Sequence, residues 1–248
     1  AFAAWGFSTF DIDRAWTELE TLFAAQWQTG MVPHIVFWQP DPGYFPGPEV
    51  WGTGTSDPAT SGISQPPVAA ILARRVWDAD RLAGEGRIAA LYPKLLAWHR
   101  WWREHRCPSG VAAVTHPWES GRDNCPDWDP GMANVDGSGV GQYTRRDTGH
   151  VDASMRPSKE DYDRYLAILQ FGRACGWDQR EIIGNGPFLM ADPAITFILI
   201  RANRDLAAIG RDLGHDTTEL EAWADDLAAA LPGIWNEELG CHDARDLR

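Results

Sequence analysis

Cysteine is scarce in this sequence and follows no recognisable pattern. The 248 residues include four cysteines, and no two of them form a C-x-x-C pair. A zinc site or a dithiol redox centre therefore has no support, and sparse, unpatterned cysteine is typical of a reducing compartment. We expect a cytoplasmic protein with no bound metal and no other cofactor.

The sequence also lacks a long apolar run and an excess of positive charge. The longest apolar stretch, near 187–200, is too short to span a bilayer and is interrupted by Asp192. The net charge of −13 argues against nucleic acid and anionic membranes as partners, because their phosphates attract Lys and Arg. A small anionic substrate needs only a local positive group. The sequence leaves the oligomeric state open.

What the sequence does contain is the composition of a soluble globular protein. Hydrophobic residues make up 44% and charged residues 23% of the chain, and this length is enough to bury a sizeable core. The fourteen tryptophans are many for 248 residues. They can fill a core, or they can offer flat faces on which a sugar ring stacks.

Apolar residues recurring at three- and four-residue spacing predict six helices and no series of strands. The expected fold class is therefore all-α, with helices stacked as hairpins. The helices are predicted over 11–29 with Gly30 as the end, from 65 onward, over 86–105, from 158 to about 176, over 192–213 and from 218 to about 231.

Polar residues mark the starts of several of these helices. Asp11 can cap the first helix. Capping boxes, in which a hydroxyl and an acidic side chain satisfy free N–H groups, are predicted at Ser158 with Asp161 and at Thr218 with Glu221.

Two long segments, 31–64 and 130–157, are rich in proline or glycine and predict irregular structure. Long loops of this kind are functional or disordered, and aromatic residues make disorder unfavourable because they gain by burial. We interpret 31–64 as an ordered loop over a cleft. Trp38, Tyr44 and Trp51 are candidates to face a sugar, and the alternative is that they only pin the loop to the core.

Gln65 precedes two prolines, which are favoured in the first turn of a helix. The sequence predicts that a helix opens here with the Gln65 amide at its N-terminus. Free N–H groups at that end attract an anion such as a carboxylate. The alternative is a plain helix cap.

The stretch HPWESGRDNCPDWD, residues 116–129, combines carboxylates and indoles in a loop broken by Gly121 and prolines. Carboxylates supply proton transfer and indoles supply flat apolar faces, which together suit a sugar-processing site. The alternative is a surface turn whose acids cap helices. The candidates in this loop are Trp118, Glu119, Arg122, Asp123, Asn124 and Trp128.

HPWESGRDN resembles the E-S-G-x-D loop of the (α/α)6-toroid glycosidases, which include trehalases and the α-glucosidases of glycoside hydrolase family 63. Bacterial mannosylglycerate and glucosylglycerate hydrolases are the most similar group. MVPHIVFW at 31–38, YFPGPEVWGT at 44–53, TSGISQPP at 60–67 and DPAITFILIRANRDLAAI at 192–209 share this resemblance. It implies an (α/α)6 toroid and inverting hydrolysis of a small glucosyl or mannosyl conjugate.

The resemblance assigns the general acid to Asp123 and the other loop candidates, with Gln65, to substrate binding. An acid near neutral pH needs a raised pKa, which Glu119 and the indoles could supply through like charge and desolvation. Arg122 would oppose that shift if it pointed inward.

The second carboxyl of an inverting pair is not found in the sequence. In the look-alike families the base is a Glu near the C-terminal end of the domain, and no stretch here matches it. Glu237 and Glu238 are interpreted as structural. We expect residues 1–248 to be a single catalytic-domain segment that lacks N-terminal and C-terminal parts of the toroid, leaves the base unknown and has little activity alone.

Other interpretations stay open at this point. The enzyme could be a trehalase or an oligosaccharide α-glucosidase, or the chain could be a non-catalytic helical sugar-binding or scaffold protein. Arg145 and Arg146 could meet a substrate carboxylate or pair with surface acids. Asp127, Asp129 and Asp136 offer oxygens for calcium, but their spacing lacks the closing Glu of an EF-hand loop.

Overall fold

The computed structural model describes residues 1–146 and 152–248. These residues form two compact units, each built from three separate stretches of the chain. Unit 1 comprises residues 1–32, 66–112 and 193–242, and unit 2 comprises residues 33–65, 113–192 and 243–248.

Unit 1 is helical, as the sequence predicts. Its helices, numbered along the whole chain, are α1 (Phe2–Phe7), α2 (Ile12–Leu22), α4 (Ala69–Ala79), α5 (Arg81–His105), α9 (Pro193–Asp212) and α10 (Thr218–Ala230). Strands β5 (Trp235–Asn236) and β6 (Cys241–His242) pair antiparallel after them. Within the described ranges, no helix is long and apolar enough to cross a membrane.

The core of unit 1 lies around α9, which packs against α4, α5 and α10. Trp16, Trp98, Trp101 and Trp102 are almost completely shielded from solvent in this unit. Much of the tryptophan excess therefore fills the core, because each indole buries a large apolar area.

Unit 2 consists of short elements joined by long loops. Its helices are α3 (Pro48–Trp51), α6 (Asp129–Met132), α7 (Lys159–Ala174) and α8 (Gln179–Asn185). Its strands are β1 (Val36–Phe37), β2 (Ala59–Thr60), β3 (Ala113–Val114), β4 (Met190–Ala191) and β7 (Arg245–Asp246). Strand β4 lies between β3 and β7, and both pairings are antiparallel.

The long proline-rich segment 31–64 is ordered, as predicted. Strands β1 and β2 pair within it, with Val36 opposite Thr60 and Phe37 opposite Ala59, and α3 lies between them. Of the second irregular segment, 130–157, residues 147–151 lie outside the described ranges.

Several predicted helix boundaries were wrong. Helix α2 ends at Leu22 and not near Gly30, because the chain turns back there and the Trp27 N–H donates to the Met31 carbonyl at 2.9 Å. Helix α4 begins at Ala69, because the prolines at 66 and 67 form a turn ahead of it. Helix α5 begins earlier than predicted, where the Asp80 side chain accepts from the Ala83 N–H.

The predicted helix caps agree more closely with the structure than the predicted helix boundaries do. Asp11 caps α2 by accepting from the Arg14 N–H at 3.0 Å. Ser158 caps α7, since the Asp161 N–H donates to the Ser158 hydroxyl at 3.0 Å, but the predicted box is incomplete because the Asp161 carboxylate accepts from that hydroxyl at 2.7 Å and not from the Ser158 N–H. The box predicted at Thr218 is displaced, because Asp216 takes the Thr218 N–H and the Thr217 hydroxyl donates to Glu221.

Gly30 and Gly86 allow a matched stability test. Gly30 has a φ of +96°, and a Cβ there would lie 2.4 Å from the Ala97 carbonyl oxygen, whereas a Cβ on Gly86, an exposed position within α5, meets nothing within 4 Å. We expect Gly30→Ala to lower the free energy of unfolding by about 2 kcal/mol or more. Gly86→Ala should raise it by up to about 1 kcal/mol. Denaturant unfolding of both variants checks this, and equal effects would contradict it.

Candidate functional site

The loop from Thr115 to Asp129, here called the acid loop, directly follows β3. It contains two 3-10 turns, over Pro117–Ser120 and Pro126–Trp128, and a proline suits the start of each because its missing N–H has no partner to lose. Gly121 ends the first turn at a φ of +68°, where glycine is favoured. The loop is therefore folded by local turns, as predicted, and leads into the short helix α6.

Glu119 is the buried anchor of the acid loop. Its side chain is fully shielded from solvent, and one carboxylate oxygen accepts from the Thr115 N–H at 2.8 Å and the Thr115 hydroxyl at 3.0 Å. The other oxygen accepts from the Ser64 N–H at 3.0 Å, which ties the acid loop to the segment 33–65. The sequence predicted a substrate contact for Glu119, whereas the structure buries its side chain completely among these donors.

Arg122 was also predicted to contact the substrate, but its side chain binds other residues of the protein. Its guanidinium donates to Asp127 at 2.7 Å and to the fully buried Asp192 at 2.9 Å. The guanidinium carbon lies 4.9 Å from the centre of the Trp128 ring. The Trp128 indole N–H in turn donates to the Arg122 carbonyl at 2.9 Å. Arg122 thus fastens the second half of the acid loop.

Four predicted site residues come together in one cavity of about 140 Å³, here called the acid pocket. They are Tyr44, Trp118, Asp123 and Asn124. Trp118 presents only its edge, since 9% of it is exposed, whereas Asp123 and Asn124 are open to solvent. The acid, an amide and two aromatic rings therefore share a space large enough for part of a sugar.

Sequence reasoning missed four further residues that line the acid pocket. They are His34, Arg156, Tyr162 and Tyr165. The two tyrosines lie on the buried stripe of α7, which helical periodicity marks as core without regard to their hydroxyls. Arg156 lies after the glycine-rich residues of the segment 130–157, and no residue spacing there indicated a functional role for it. His34 lies within one of the motifs that carried the family resemblance, and this was the signal available for it.

Burial in the acid pocket raises the pKa of Asp123 above its ordinary value. A hydrogen bond from its own backbone N–H and the positive charge of Arg156 act against this shift. The predicted opposition from Arg122 is absent, because that side chain pairs with Asp127 and Asp192. A carboxyl with a raised pKa retains its proton to higher pH, which is what a general acid requires.

His34 is held as a neutral ring beside Gln65. The Gln65 side-chain amide is in hydrogen-bond contact with Nδ1 of His34. Burial lowers the pKa of His34 to about 4, although the charge of Glu119 acts in the opposite direction. The prediction that Gln65 opens a helix was wrong, since α4 begins at Ala69 and the Gln65 amide instead contacts His34.

The remaining predicted sugar contacts do not line the acid pocket. Trp51 is fully buried, and its indole N–H donates to the Pro46 carbonyl at 3.2 Å. Trp128 is 1% exposed, so both rings pack in the interior where a sugar cannot reach them. Trp38 is 53% exposed but lines a different surface cavity, together with Phe37 and Asp57.

Within residues 1–146 and 152–248, no group of three or more His, Cys, Asp and Glu side chains could hold a metal ion. Asp127 accepts from Arg122, and Asp136 accepts from the Ser138 N–H at 2.9 Å. Arg145 donates to the Pro157 carbonyl at 2.7 Å, and its guanidinium carbon lies 4.5 Å from the centre of the Tyr162 ring.

Comparison with known proteins identifies a family. A family model described as the mannosylglycerate hydrolase MGH1-like glycoside hydrolase domain matches residues 1–248. The chain is 42% identical over 252 residues to mannosylglycerate hydrolase MGH1 of Selaginella moellendorffii, which covers 99% of this chain and 52% of that protein. It is 38% identical over 265 residues to the glucosylglycerate hydrolase of Mycolicibacterium hassiacum, which covers 99% of this chain and 59% of the relative.

A solved structure supports the same fold. The crystal structure of a family 63 mannosylglycerate hydrolase from Thermus thermophilus, in complex with Tris and D-glycerate, matches with a TM-score of 0.94 and 44% identity. The match covers 99% of this chain and 60% of that one. The predicted toroid fold class and the family resemblance are thereby confirmed. The chain spans between about half and three fifths of the length of these relatives.

Glu119→Gln tests the buried anchor. The Ser64 N–H, the Thr115 N–H and the Thr115 hydroxyl all donate to this carboxylate, so the amide nitrogen of Gln would face a donor in place of an acceptor. We expect the free energy of unfolding to fall by about 2–4 kcal/mol, the cost of an unsatisfied buried polar group in a charged hydrogen-bond network. Thermal and denaturant unfolding measure it. The exposed Glu85→Gln is the matched control, and equal stabilities for the two variants would contradict the anchor.

Proposed function

The chain belongs to the MGH1-like glycoside hydrolase domain family, and on that premise we propose that the protein hydrolyses the glycosidic bond of a mannosyl or glucosyl conjugate of glycerate. The observation that carries the proposal is Asp123, a carboxyl with a raised pKa in the acid pocket of a chain with this family's fold. Two of the relatives are named for hydrolysis of these two conjugates.

In this proposal Asp123 is the general acid. It donates its proton to the glycosidic oxygen as the bond to the sugar breaks, so that the leaving oxygen of glycerate departs as a hydroxyl group and not as an alkoxide. Because the acid must be protonated, activity is lost as pH rises through the pKa of Asp123. The burial that raises this pKa extends the working range toward neutral pH.

Inverting hydrolysis needs a second carboxyl about 6.5–9.5 Å from the acid, which activates a water on the opposite face of the sugar. Among the described residues that line the acid pocket, Asp123 is the one carboxylate. We therefore place the base in a part of the family fold outside residues 1–248. The relatives are longer than this chain, which is compatible with that placement.

Arg156 is suited to the carboxylate of the glycerate part. It lines the acid pocket, and its charge acts on Asp123, so an anion paired with it lies close to the acid. A guanidinium binds a carboxylate through two parallel hydrogen bonds. The neutral His34 ring lines the same pocket and adds a polar group there. This local charge lets a protein with a net charge of −13 bind an anionic substrate.

Aromatic rings supply the apolar surface for the sugar. Tyr44 stands 45% exposed at the acid pocket, and Trp118, whose ring centre lies 6.2 Å from that of Tyr162, also lines it. Flat rings of this kind pack against the C–H faces of a sugar while their polar atoms meet its hydroxyls.

Asp123→Asn is the first test. In the full-length protein we expect the rate of mannosylglycerate or glucosylglycerate hydrolysis to fall about 10²- to 10⁴-fold, the range that general acid catalysis contributes. Substrate affinity should change little, because Asn preserves the shape of the side chain. Released glycerate measures the rate, and the exposed Asp136→Asn is the control.

Two outcomes of that test count against the proposal. Full hydrolysis by the Asp123→Asn protein would remove Asp123 from the acid role. Substrate binding without any hydrolysis by the unmodified full-length protein would favour the rival function of a sugar-binding protein. We expect residues 1–248 alone to hydrolyse weakly or not at all, and efficient hydrolysis by that segment would contradict a base located elsewhere.

Arg156→Gln tests the glycerate site. Loss of one charge-assisted, two-pronged contact should raise the KM for a glycosyl glycerate by about 10- to 100-fold. The KM for the neutral glycosyl glycerol analogue should be unchanged, because it carries no carboxylate. Arg146→Gln is the control, since Arg146 was the alternative carboxylate ligand. A larger effect of Arg146→Gln, or equal effects of Arg156→Gln on both substrates, would contradict this assignment.

A further inference from the structure

Tyr165 connects helix α7 to the acid loop at two points. Its hydroxyl donates to the main-chain carbonyl of Asp123 at 2.9 Å. Its own main-chain carbonyl accepts from Nε2 of His116 at 3.1 Å. One residue of a regular helix is therefore bonded to both the first residues of the acid loop and the proposed acid itself.

The protonation state of His116 follows from its two partners. The Trp118 N–H donates to Nδ1 at 3.0 Å, so Nδ1 must accept and the proton lies on Nε2, which donates to Tyr165. The ring is fully buried, and burial lowers the pKa of His116 to about 3, with Glu119 acting against and His34 acting with this shift. The same tautomer thus persists throughout the neutral range.

Tyr165 is equally fixed as a donor. Burial, followed by the charges of Asp161, Asp123 and Asp129, raises the pKa of Tyr165 to about 12. The hydroxyl therefore keeps its proton at any pH at which a sugar hydrolase works. Helix α7 supports this contact with a start capped by Ser158 and a buried face.

Asp123 needs such a support. It follows Gly121, whose left-handed backbone ends the preceding turn, and its carboxyl is open to solvent on one side. The Tyr165 hydroxyl binds the main-chain carbonyl of Asp123. It therefore fixes the position of the backbone from which the carboxyl side chain extends. General acids lose efficiency when displaced by as little as an ångström.

We propose that Tyr165 and His116 are positioning residues that set the place of the Asp123 carboxyl by holding the main chain of the acid loop against α7. This inference rests on the proposed role of Asp123 as the acid. Neither residue needs to touch the reacting atoms. Without the Tyr165 hydroxyl, the carboxyl would turn toward water, and its pKa would fall toward that of an ordinary aspartate.

The test compares Tyr165→Phe with Tyr143→Phe in the full-length protein. Tyr143 is a matched control, because its hydroxyl donates to Asp163 at 2.7 Å and not to the acid loop. We expect Tyr165→Phe to lower kcat about ten-fold, a part of the factor that acid catalysis contributes, with KM changed less than about two-fold. The alkaline limb of kcat/KM should move to lower pH, and Tyr143→Phe should change neither.

Titration of Asp123 gives a readout that does not depend on activity. The carboxyl signal of ¹³C-labelled aspartate, assigned by its loss in Asp123→Asn, should report a lower pKa in Tyr165→Phe than in the unmodified protein. Arg156, Tyr44, Tyr165 and the backbone N–H of Asp123 face this carboxyl, and Tyr165→Phe removes only the Tyr165 hydroxyl. If the unmodified protein hydrolyses nothing, the proposed function fails, yet this titration still decides the positioning.

Other outcomes overturn the inference. A raised KM with an unchanged Asp123 titration would make Tyr165 a substrate contact, and no change in either would remove it from the site. If Tyr165→Phe does not fold, His116→Gln and His116→Asn decide. Gln keeps a donor near the place of Nε2, whereas Asn keeps an acceptor near that of Nδ1. The inference expects higher kcat and a higher Asp123 pKa with Gln, and the reverse order contradicts it.

Discussion

The site depends on one buried charge, the carboxylate of Glu119. Removing a carboxylate from water costs several kcal/mol unless hydrogen bonds replace its hydration. Thr115 supplies two of these bonds and Ser64 a third, and because those residues belong to different segments, the requirement to satisfy the charge forces the segments together. The next residue after Ser64 is Gln65, which holds His34 at the acid pocket. The hydrogen bonds of Glu119 therefore hold together the acid loop and the stretch that contains Ser64 and Gln65, and both segments contribute to the acid pocket.

A second constraint keeps positive charge away from the acid. Arg122 is the neighbour of Asp123 in sequence, and an inward guanidinium would favour the ionised carboxyl and lower its pKa. Asp127 and the buried Asp192 draw that guanidinium to the other side of the loop. Arg156 is left as the positive group that acts on Asp123. Asp127 of the acid loop and Asp192, which follows β4, thus keep the charge of Arg122 from lowering the pKa of Asp123.

The sequence was informative where a residue's role follows from its own segment. The caps formed by Asp11 and Ser158 could be predicted because a cap binds an N–H group only three positions away. The Asp of E-S-G-x-D, Asp123, could be predicted as a site residue from its motif alone. Prediction from the sequence was less successful for residues whose hydrogen-bond partners lie far away along the chain. Glu119 looks like a site residue until Ser64, 55 positions earlier, is seen to donate to it.

The tryptophans illustrate the same limit. Periodicity separates buried from exposed faces on a helix, but Trp51, Trp118 and Trp128 lie in loops or single turns where no period applies. Only the fold shows that Trp118 reaches the pocket while the other two do not. Tyr165 shows a different limit. Helical periodicity correctly predicts that its ring is buried, but it does not predict where the phenol hydroxyl lies.

The proposed substrate would itself adjust the acid. In the free protein the charge of Arg156 lowers the pKa of Asp123, against the effect of burial. A glycerate carboxylate paired with Arg156 neutralises that charge, and the substrate also displaces water from the pocket. Both changes disfavour the ionised carboxylate, so the acid becomes better protonated when a substrate of the right charge is bound. A neutral conjugate excludes water equally but brings no carboxylate to Arg156, so in this proposal recognition of the aglycone and protonation of Asp123 are linked through one guanidinium.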